Sequence, residues 1–240
     1  MTSNQLLAHL PATERRRLLA QGLQVPMQSG EQLATQDQPA AALIFPLAGF
    51  VSLVTPLDAH PLLQVGMVGC EGVLGAQLLL GVPTSPVTAS VQQGGMAWRV
   101  PAAALRRQLD ASPALRRLLT RYLVVQLRDA ATAAACLHFH PLQARLARWL
   151  LMGQDRAGGE GFAITQQHLA PLLGVRRVGV TVAAGRLQRA ALIRYHRGWI
   201  TVTDRPGLEA AACSCYAQGT ANYQLGMKFP PFEAEGAPTH

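Results

Sequence analysis

The sequence predicts an α+β protein with an N-terminal antiparallel β-roll of the jelly-roll type, a long dimerisation helix and a C-terminal winged helix-turn-helix. Three observations support this class. Glycines punctuate short apolar runs between about residues 30 and 100, one helical pattern runs unbroken over 112–137, and two helical patterns meet at a glycine within 165–189. The predicted domain boundaries are 1–111 for the roll, 112–139 for the long helix, 140–215 for the winged helix-turn-helix and 216–240 for a flexible tail.

The β-roll is predicted from runs such as GFVSLVT, LLQVGMV and MAWRVP, which suit short strands joined by tight turns. A short helix pair is expected before the roll and another helix at 101–110. Residues 38–57 carry no charge over twenty positions, which is long enough for a membrane span. Pro46, Gly49 and Pro56 interrupt this run, so we predict a buried strand pair here and no membrane contact.

The long helix is predicted to form a dimer seam. Ser112 is a natural N-cap, and Pro113 suits the first helical position. Apolar residues then recur at heptad spacing or beside it, at Leu115, Leu118, Leu119, Tyr122 and Val125. A second apolar stripe at Leu123 and Leu127 indicates that the helix packs on the roll as well as on a second copy. The alternative is the core helix of a monomer.

The pattern at 165–189 is typical of a helix-turn-helix. Thr165 suits the cap of a first helix over 166–173, Gly174 supplies the turn, and a second helix runs from about Arg176 to Arg189. The following segment, LIRYHRGWITV, alternates about a central Arg-Gly pair as a β-hairpin does, which predicts a wing.

Positive charge is concentrated in the same region. The chain has a net charge of +8, and residues 141–205 hold ten arginines against three acidic residues. The first turn of a recognition helix enters the major groove, so this charge indicates double-stranded DNA as the partner. The predicted DNA-binding residues are Thr165, Gln166, Arg176, Arg177, Val178, Thr181, Val182, Arg186 and Arg197. The alternative is a ligand-regulated scaffold module whose basic domain docks protein or RNA.

The four cysteines show neither the spacing of a disulfide framework nor that of a zinc ribbon, and the N-terminus lacks an apolar core of signal-peptide length. Both features predict a reduced, cytoplasmic protein. Cys136, His138 and His140 alternate along the end of the long helix, where alternating positions do not face one site, and Cys213 and Cys215 form a separate C-x-C. We predict no metal site from them. No enzymatic activity is expected either, since we find no nucleophile–base pair, paired carboxylates or phosphate-binding loop.

The order of roll, long helix and winged helix-turn-helix resembles the Crp/Fnr family of bacterial transcription regulators. The resemblance covers about residues 10–215, and its most specific pieces are EGVLGAQLLLGVP, RLARWLLMGQDRAG and ITQQHLAPLLGVRRVGVTVAAGRLQRAALIRYHRGWITV. It implies a homodimer on a two-fold symmetric DNA site, with RNA polymerase as a further partner. By position, Arg177 matches the family's guanine-reading arginine, whereas Val178 and Val182 replace a recognition glutamate and a second contacting arginine.

The resemblance also implies an effector pocket in the roll, at Gly75, Ala76, Leu78, Val87, Thr88 and Ala89. In members that bind cyclic nucleotides, a Gly-Glu pair and a later arginine hold the ribose and the cyclic phosphate. Here Ala76 takes the glutamate position, Pro86 or Val87 takes the arginine position, and Glu71 lies too early to substitute. We therefore predict no cyclic AMP and at most a neutral or apolar ligand. No cysteine precedes Cys70, so the iron–sulfur sensor of the Fnr branch is expected to be missing, and no cofactor is predicted.

Overall fold

A computed structural model of the protein describes residues 4–57, 60–159 and 161–228. Two short helices, α1 (Gln5–Ala8) and α2 (Ala12–Leu19), precede the roll. The strands of the roll are β1 (Leu23–Met27), β2 (Gln32–Ala34), β3 (Ala42–Pro46), β4 (Phe50–Leu57), β5 (His60–Val68), β6 (Thr88–Gln93) and β7 (Gly95–Pro101). A 3₁₀ turn over Ala76–Leu80 lies between β5 and β6. The predicted α+β class is confirmed.

The roll consists of two antiparallel sheets, ordered β1-β7-β3 and β2-β6-β4-β5. Between them lies an apolar core of buried residues such as Met27, Val51, Val68 and Val91. Glycine is required at the turn between β3 and β4, because Gly49 has a φ of +77° and a Cβ there would lie 2.2 Å from the carbonyl oxygen of Gln93. The uncharged run at 38–57 thus forms two strands, β3 and β4, but they lie in different sheets and do not pair with each other.

No helix within the described ranges is both long enough and apolar enough to cross a membrane.

The long helix α4 (Pro113–Phe139) follows α3 (Ala102–Ala111) directly. The Ser112 side chain accepts a hydrogen bond from the backbone N–H of Leu115 at 3.0 Å, so it caps α4 as predicted. The first half of α4 packs with α1, α2 and α3 on the β3 and β7 side of the roll. Leu18, Phe45 and Leu105 lie in the centre of this helical layer and are almost completely buried.

A compact C-terminal unit follows α4. Its elements are α5 (Leu142–Ala157), β8 (Gly161–Ala163), α6 (Gln166–Leu172), α7 (Arg177–Arg189), β9 (Ile193–His196), β10 (Trp199–Val202) and α8 (Arg205–Ala211). The strands form an antiparallel sheet in the order β8-β10-β9. The core of this unit continues into the roll, since the ring of Phe50 in β4 meets the rings of Phe162 and Trp149 edge-on at centroid distances of 5.7 and 6.3 Å.

The chain after residue 214 continues as a helix, α9 (Cys215–Lys228), which packs along α4. Asn222 is buried between the two helices and donates hydrogen bonds to Asp129 and Thr132 at 3.1 and 3.3 Å. A Cβ at Gly226 would lie 2.3 Å from Val125, so the glycine permits the close approach. The predicted flexible tail is therefore wrong for 216–228, where contacts with α4 stabilise a helix of small and polar residues. Residues 229–240 lie outside the described ranges.

Candidate nucleic-acid interface

The helix-turn-helix is formed by α6, a glycine turn and α7. The Thr165 side chain accepts a hydrogen bond from the backbone N–H of His168 at 3.2 Å and caps α6. Pro171 lies inside α6, which ends one residue later, so the helix spans only seven residues. Gly174 makes the turn with a φ of +64°, and Ala170 is buried where the two helices meet. The predicted two-helix pattern is present.

The second helix buries one face and leaves the other free. Val180, Ala183 and Leu187 point into the core of the C-terminal unit and are buried. The opposite face carries predicted DNA-binding residues, and all of those on α7 or at its N-cap are exposed: Arg176, Arg177, Val178, Thr181, Val182 and Arg186. Val178 is 73% exposed, which is unusual for a large apolar side chain on an ordered helix.

Gln166 and Thr181 connect the two helices at this surface. The Thr181 hydroxyl donates to the Gln166 side-chain oxygen at 2.6 Å. The backbone N–H of Gln166 in turn donates to the Tyr195 hydroxyl at 3.0 Å, and that hydroxyl donates to the carbonyl of Ile164 at 3.1 Å. Burial raises the pKa of Tyr195, which keeps this hydroxyl protonated as a donor. These hydrogen bonds therefore fix the positions of Gln166 and Thr181 at this surface.

The wing is a tight hairpin between β9 and β10. His196 pairs with Trp199, so only Arg197 and Gly198 form the turn. Both have positive φ, +48° and +80°, as a two-residue type I′ turn requires. Arg197 is exposed at the tip, and a Cβ at the neighbouring Gly198 would lie 3.4 Å from the side chain of Thr165, the cap of α6. The predicted wing and the placement of Arg197 on it are present.

Six arginines give this surface a uniform positive charge. They are exposed and comprise Arg176, Arg177, Arg186, Arg189, Arg194 and Arg197. Among the residues that the structure describes, four acidic side chains form ion pairs, all of them with Arg116, Arg156 or Arg205, and no acidic side chain lies within ion-pair distance of these six. The surface is thus free to bind a polyanion.

The predicted dimer residues need a correction. Leu115, Leu118, Leu119, Tyr122 and Val125 are all buried within the protomer itself. The first four pack into the helical layer on the roll, and Val125 contacts Gly226 of α9. Heptad spacing identifies a buried face but not the element that covers it, and here the covering elements belong to the same chain.

The predicted effector pocket is partly assembled. Gly75, Ala76, Val87 and Ala89 line a cavity of about 160 Å³ in the roll. Two predicted members lie elsewhere, since Leu78 packs against the helical layer and the Thr88 hydroxyl accepts a hydrogen bond from the backbone N–H of Gln36. Arg99 on β7 also lines the cavity, so it contains a cation that the local sequence motif does not provide.

Three cysteines and a histidine converge where α4 ends, a cluster that the sequence interpretation divided into two unrelated groups. The Sγ atoms of Cys136 and Cys213 lie 3.5 Å apart, and Cys215 Sγ lies 3.5 Å from Nδ1 of His140. Burial raises the pKa of the Cys213 thiol to about 12, and Cys136 adds to the shift. The sequence contained one signal of this cluster: Cys136 and His140 are four residues apart, a spacing that places both side chains on one side of a helix. His138, between them, is exposed.

The arrangement of elements agrees with known structures. FixK2 from Bradyrhizobium japonicum is 18% identical, with a TM-score of 0.68 over 80% of this chain and 98% of that one. The c-di-GMP-responsive global regulator CLP from Xanthomonas campestris is 19% identical, with a TM-score of 0.66 over 80% and 99%. TTHA1359, a CRP/FNR-family transcriptional regulator from Thermus thermophilus, is 23% identical, with a TM-score of 0.65 over 79% and 98%. At these identities the likeness establishes the fold.

The C-terminal unit is also recognised by its sequence. Residues 144–211 match the family model for the Crp-like helix-turn-helix domain. A comparison with curated proteins finds no match. The matched segment contains α6, the glycine turn, α7 and the wing, which are the elements that build the basic surface. The chain thus carries a Crp-like helix-turn-helix domain over residues 144–211, and it shares its overall fold with solved CRP/FNR-family regulators.

Proposed function

We propose that this protein is a homodimeric transcription regulator that binds a two-fold symmetric DNA site through the basic surface of its helix-turn-helix. The observation that carries the proposal is the first turn of α7, where Arg177 and Val178 face solvent beside a wing tipped by Arg197. A Crp-like helix-turn-helix domain is a DNA-binding module. Arginines without carboxylate partners supply the phosphate contacts that such binding requires.

The side chains on α7 favour a particular half-site. Arg177 has the fork geometry to donate two hydrogen bonds to O6 and N7 of a guanine. Val178 and Val182 offer apolar contacts suited to the C5-methyl of thymine, and Thr181 offers a hydroxyl or a methyl group to a base edge. Arg176, Arg186 and Arg197 are assigned to phosphates. We therefore expect a guanine accompanied by thymines, which differs from the half-site that the family's glutamate and second arginine would select.

A stripe on α4 supports dimerisation. Five of the exposed positions on this helix repeat with alternating steps of four and three, which is the spacing of a coiled-coil seam: Thr120, Val124, Leu127, Ala131 and Ala134. Leu127 is 70% exposed, and the alanines beside it allow two helices to pack closely. Parallel packing of two such helices would present two recognition helices to one face of DNA, about 34 Å apart.

Two further roles rest on the resemblance to Crp/Fnr regulators. RNA polymerase is the proposed protein partner, and the roll is the proposed sensor of a signal. The cavity lined by Gly75, Val87 and Arg99 is the candidate effector site. The alternative of a scaffold that docks protein or RNA is not favoured, because the exposed basic surface has the geometry of a helix-turn-helix and wing.

Selection of DNA from a random pool by the purified protein tests this function. We expect a palindromic motif with half-sites one helical turn apart, and affinity for it that falls roughly 10³-fold or more between 50 and 200 mM salt. A duplex of the same composition with shuffled half-sites is the control. Equal affinity for all duplexes, or a preference for RNA, would contradict the proposal.

A further inference from the structure

The cluster of cysteines and histidine lies where the chain enters and leaves the C-terminal unit. Cys136 belongs to the last turn of α4, and His140 is the residue that ends this helix. Cys213 lies just after α8, and Cys215 begins α9. The whole helix-turn-helix and wing, residues 141–212, is thus a loop whose two ends meet at these four side chains.

The separations of these side chains match the coordination sphere of one tetrahedral ion. The four candidate ligand atoms all lie within 4.8 Å of one another. With Zn–S bonds of about 2.3 Å and Zn–N bonds of about 2.0–2.1 Å, a tetrahedron places two sulfurs about 3.8 Å apart and a sulfur and a nitrogen about 3.5 Å apart. The observed pairs, Cys136 with Cys213 and Cys215 with His140, are each 3.5 Å apart.

The donor set determines the class of metal. Three thiol sulfurs and one imidazole nitrogen form a Cys₃His set, one of the usual sets of closed, structural zinc sites. Hard cations such as Mg²⁺ and Ca²⁺ prefer oxygen ligands, and the cluster contains none. The three cysteines are buried and His140 is half-buried, so the ion would be shielded while its site can still be reached from solvent.

Two other uses of the same residues fit less well. A disulfide between Cys136 and Cys213 requires sulfurs about 2.05 Å apart, and it would leave Cys215 and His140 without a role. An iron–sulfur cluster contains several irons and bridging sulfides, so its ligand atoms must surround a larger volume than these four enclose.

We propose that Cys136, His140, Cys213 and Cys215 form a mononuclear zinc site that fastens both ends of the DNA-binding unit to the end of the long helix. The ion crosslinks the two ends of a segment of more than seventy residues. Such a crosslink stabilises a fold because it restricts the conformations of the unfolded chain. It also fixes the position of the C-terminal unit at the end of α4.

Co²⁺ titration of the full-length, reduced protein after removal of metals by a chelator tests the site. We expect visible bands of tetrahedral Co²⁺ and a thiolate-to-cobalt band in the near ultraviolet, saturating at one ion per chain and abolished by one equivalent of Zn²⁺. Addition of Zn²⁺ alone should raise the Tm of the metal-free protein, since a ligand that binds the native state stabilises it. No DNA is involved, so a negative result would leave the proposed function intact.

Matched variants locate the site. Cys213→Ser and His140→Ala should each weaken Co²⁺ binding at least tenfold and remove the Zn²⁺-dependent rise in Tm. Cys70→Ser and His138→Ala should bind Co²⁺ as the unmodified protein does, because Cys70 lies in the roll and His138 is exposed beside Phe139. If Cys213→Ser does not fold, the His140→Ala variant still permits the test, because His140 is only half-buried.

The proposal is overturned if the unmodified protein gives no tetrahedral Co²⁺ spectrum, or if His140→Ala and His138→Ala bind Co²⁺ equally. It also fails if the protein as purified contains iron and sulfide, or if Cys136 and Cys213 are joined in a disulfide that persists under the reducing conditions of the titration.

Discussion

Arg156 of α5 donates a hydrogen bond from Nε to Oε1 of Glu71 at 2.8 Å, across the boundary between the DNA-binding unit and the roll. The two side chains are only 16% and 19% exposed. The backbone N–H of Gly69 donates to the same carboxylate oxygen at 3.1 Å. A Cβ at Gly69 would lie 2.7 Å from Cγ of Arg156, so this glycine makes room for the arginine. The turn after β5 is thus shaped to receive a side chain from the DNA-binding unit.

Glu71→Gln is expected to lower the free energy of unfolding by roughly 3 kcal/mol, because it leaves the charge of a largely buried arginine without its partner. Urea unfolding of Glu71→Gln, Arg156→Gln and the double variant measures this effect. The losses of the two single variants should not add, since either one already breaks the pair. Strict additivity would show that the two side chains do not depend on one another.

Arg177→Ala is expected to weaken binding to the selected DNA site by roughly 1–3 kcal/mol and to relax the preference at one guanine position. Arg197→Ala, on the wing, should instead weaken binding to all sequences about equally, since a phosphate contact carries no sequence information. Repeating the selection with each variant measures the difference. If the selected motif of Arg177→Ala equals that of the unmodified protein, Arg177 does not read a base.

Leu127→Glu is expected to dissociate the dimer, because it places like charges opposite each other in the proposed seam on α4. Leu127 contributes little to the protomer's own core, so the variant should remain folded as a monomer and still show a melting transition. Sedimentation velocity measures the oligomeric state, with Leu23→Glu as the control because Leu23 is similarly exposed but lies on β1 of the roll. A Leu127→Glu protein that still sediments as a dimer would move the seam to another surface.

Cyclic AMP and cyclic GMP are expected not to bind the roll with micromolar or tighter affinity. By resemblance to members that bind cyclic nucleotides, the cavity carries Ala76 where a glutamate would hold the ribose, and Pro86 or Val87 where an arginine would hold the phosphate. Isothermal titration calorimetry measures the affinity. Arg99 places one cation in the cavity, so Arg99→Ala should be titrated in parallel. Tight binding of a cyclic nucleotide would contradict our prediction, and its loss in Arg99→Ala would identify Arg99 as the phosphate contact.

Much of the basic surface on the helix-turn-helix was predictable because its determinants are local. A cap at Thr165, a turn glycine at Gly174 and an Arg-Gly hairpin tip each fix backbone geometry within a few residues. Once these elements are placed, helical periodicity alone separates the buried Val180 from the exposed Val178. The solvent-facing side chains of α7 follow from that separation.

The features that the sequence did not reveal depend on residues far apart in the chain. The cluster of Cys136 and Cys213 needs contacts between α4 and the segment after α8. The same is true of α9, whose buried Asn222 has its partners on α4. Arg99 reaches the roll cavity from a strand outside the effector motif. The heptad residues of α4 illustrate the same difficulty, because periodicity predicts that Leu118 is buried but cannot tell whether its own roll or a second copy buries it.

The ring of Phe50 has a thermodynamic consequence. Phe50 lies in strand β4 of the roll, but its ring packs against Phe162 and Trp149 of the C-terminal unit. Unfolding either unit alone would expose the aromatic surface of the other to water, which is unfavourable for both. The two units should therefore melt as one cooperative block with a single calorimetric endotherm. Any change that destabilises the roll should therefore destabilise the helix-turn-helix as well.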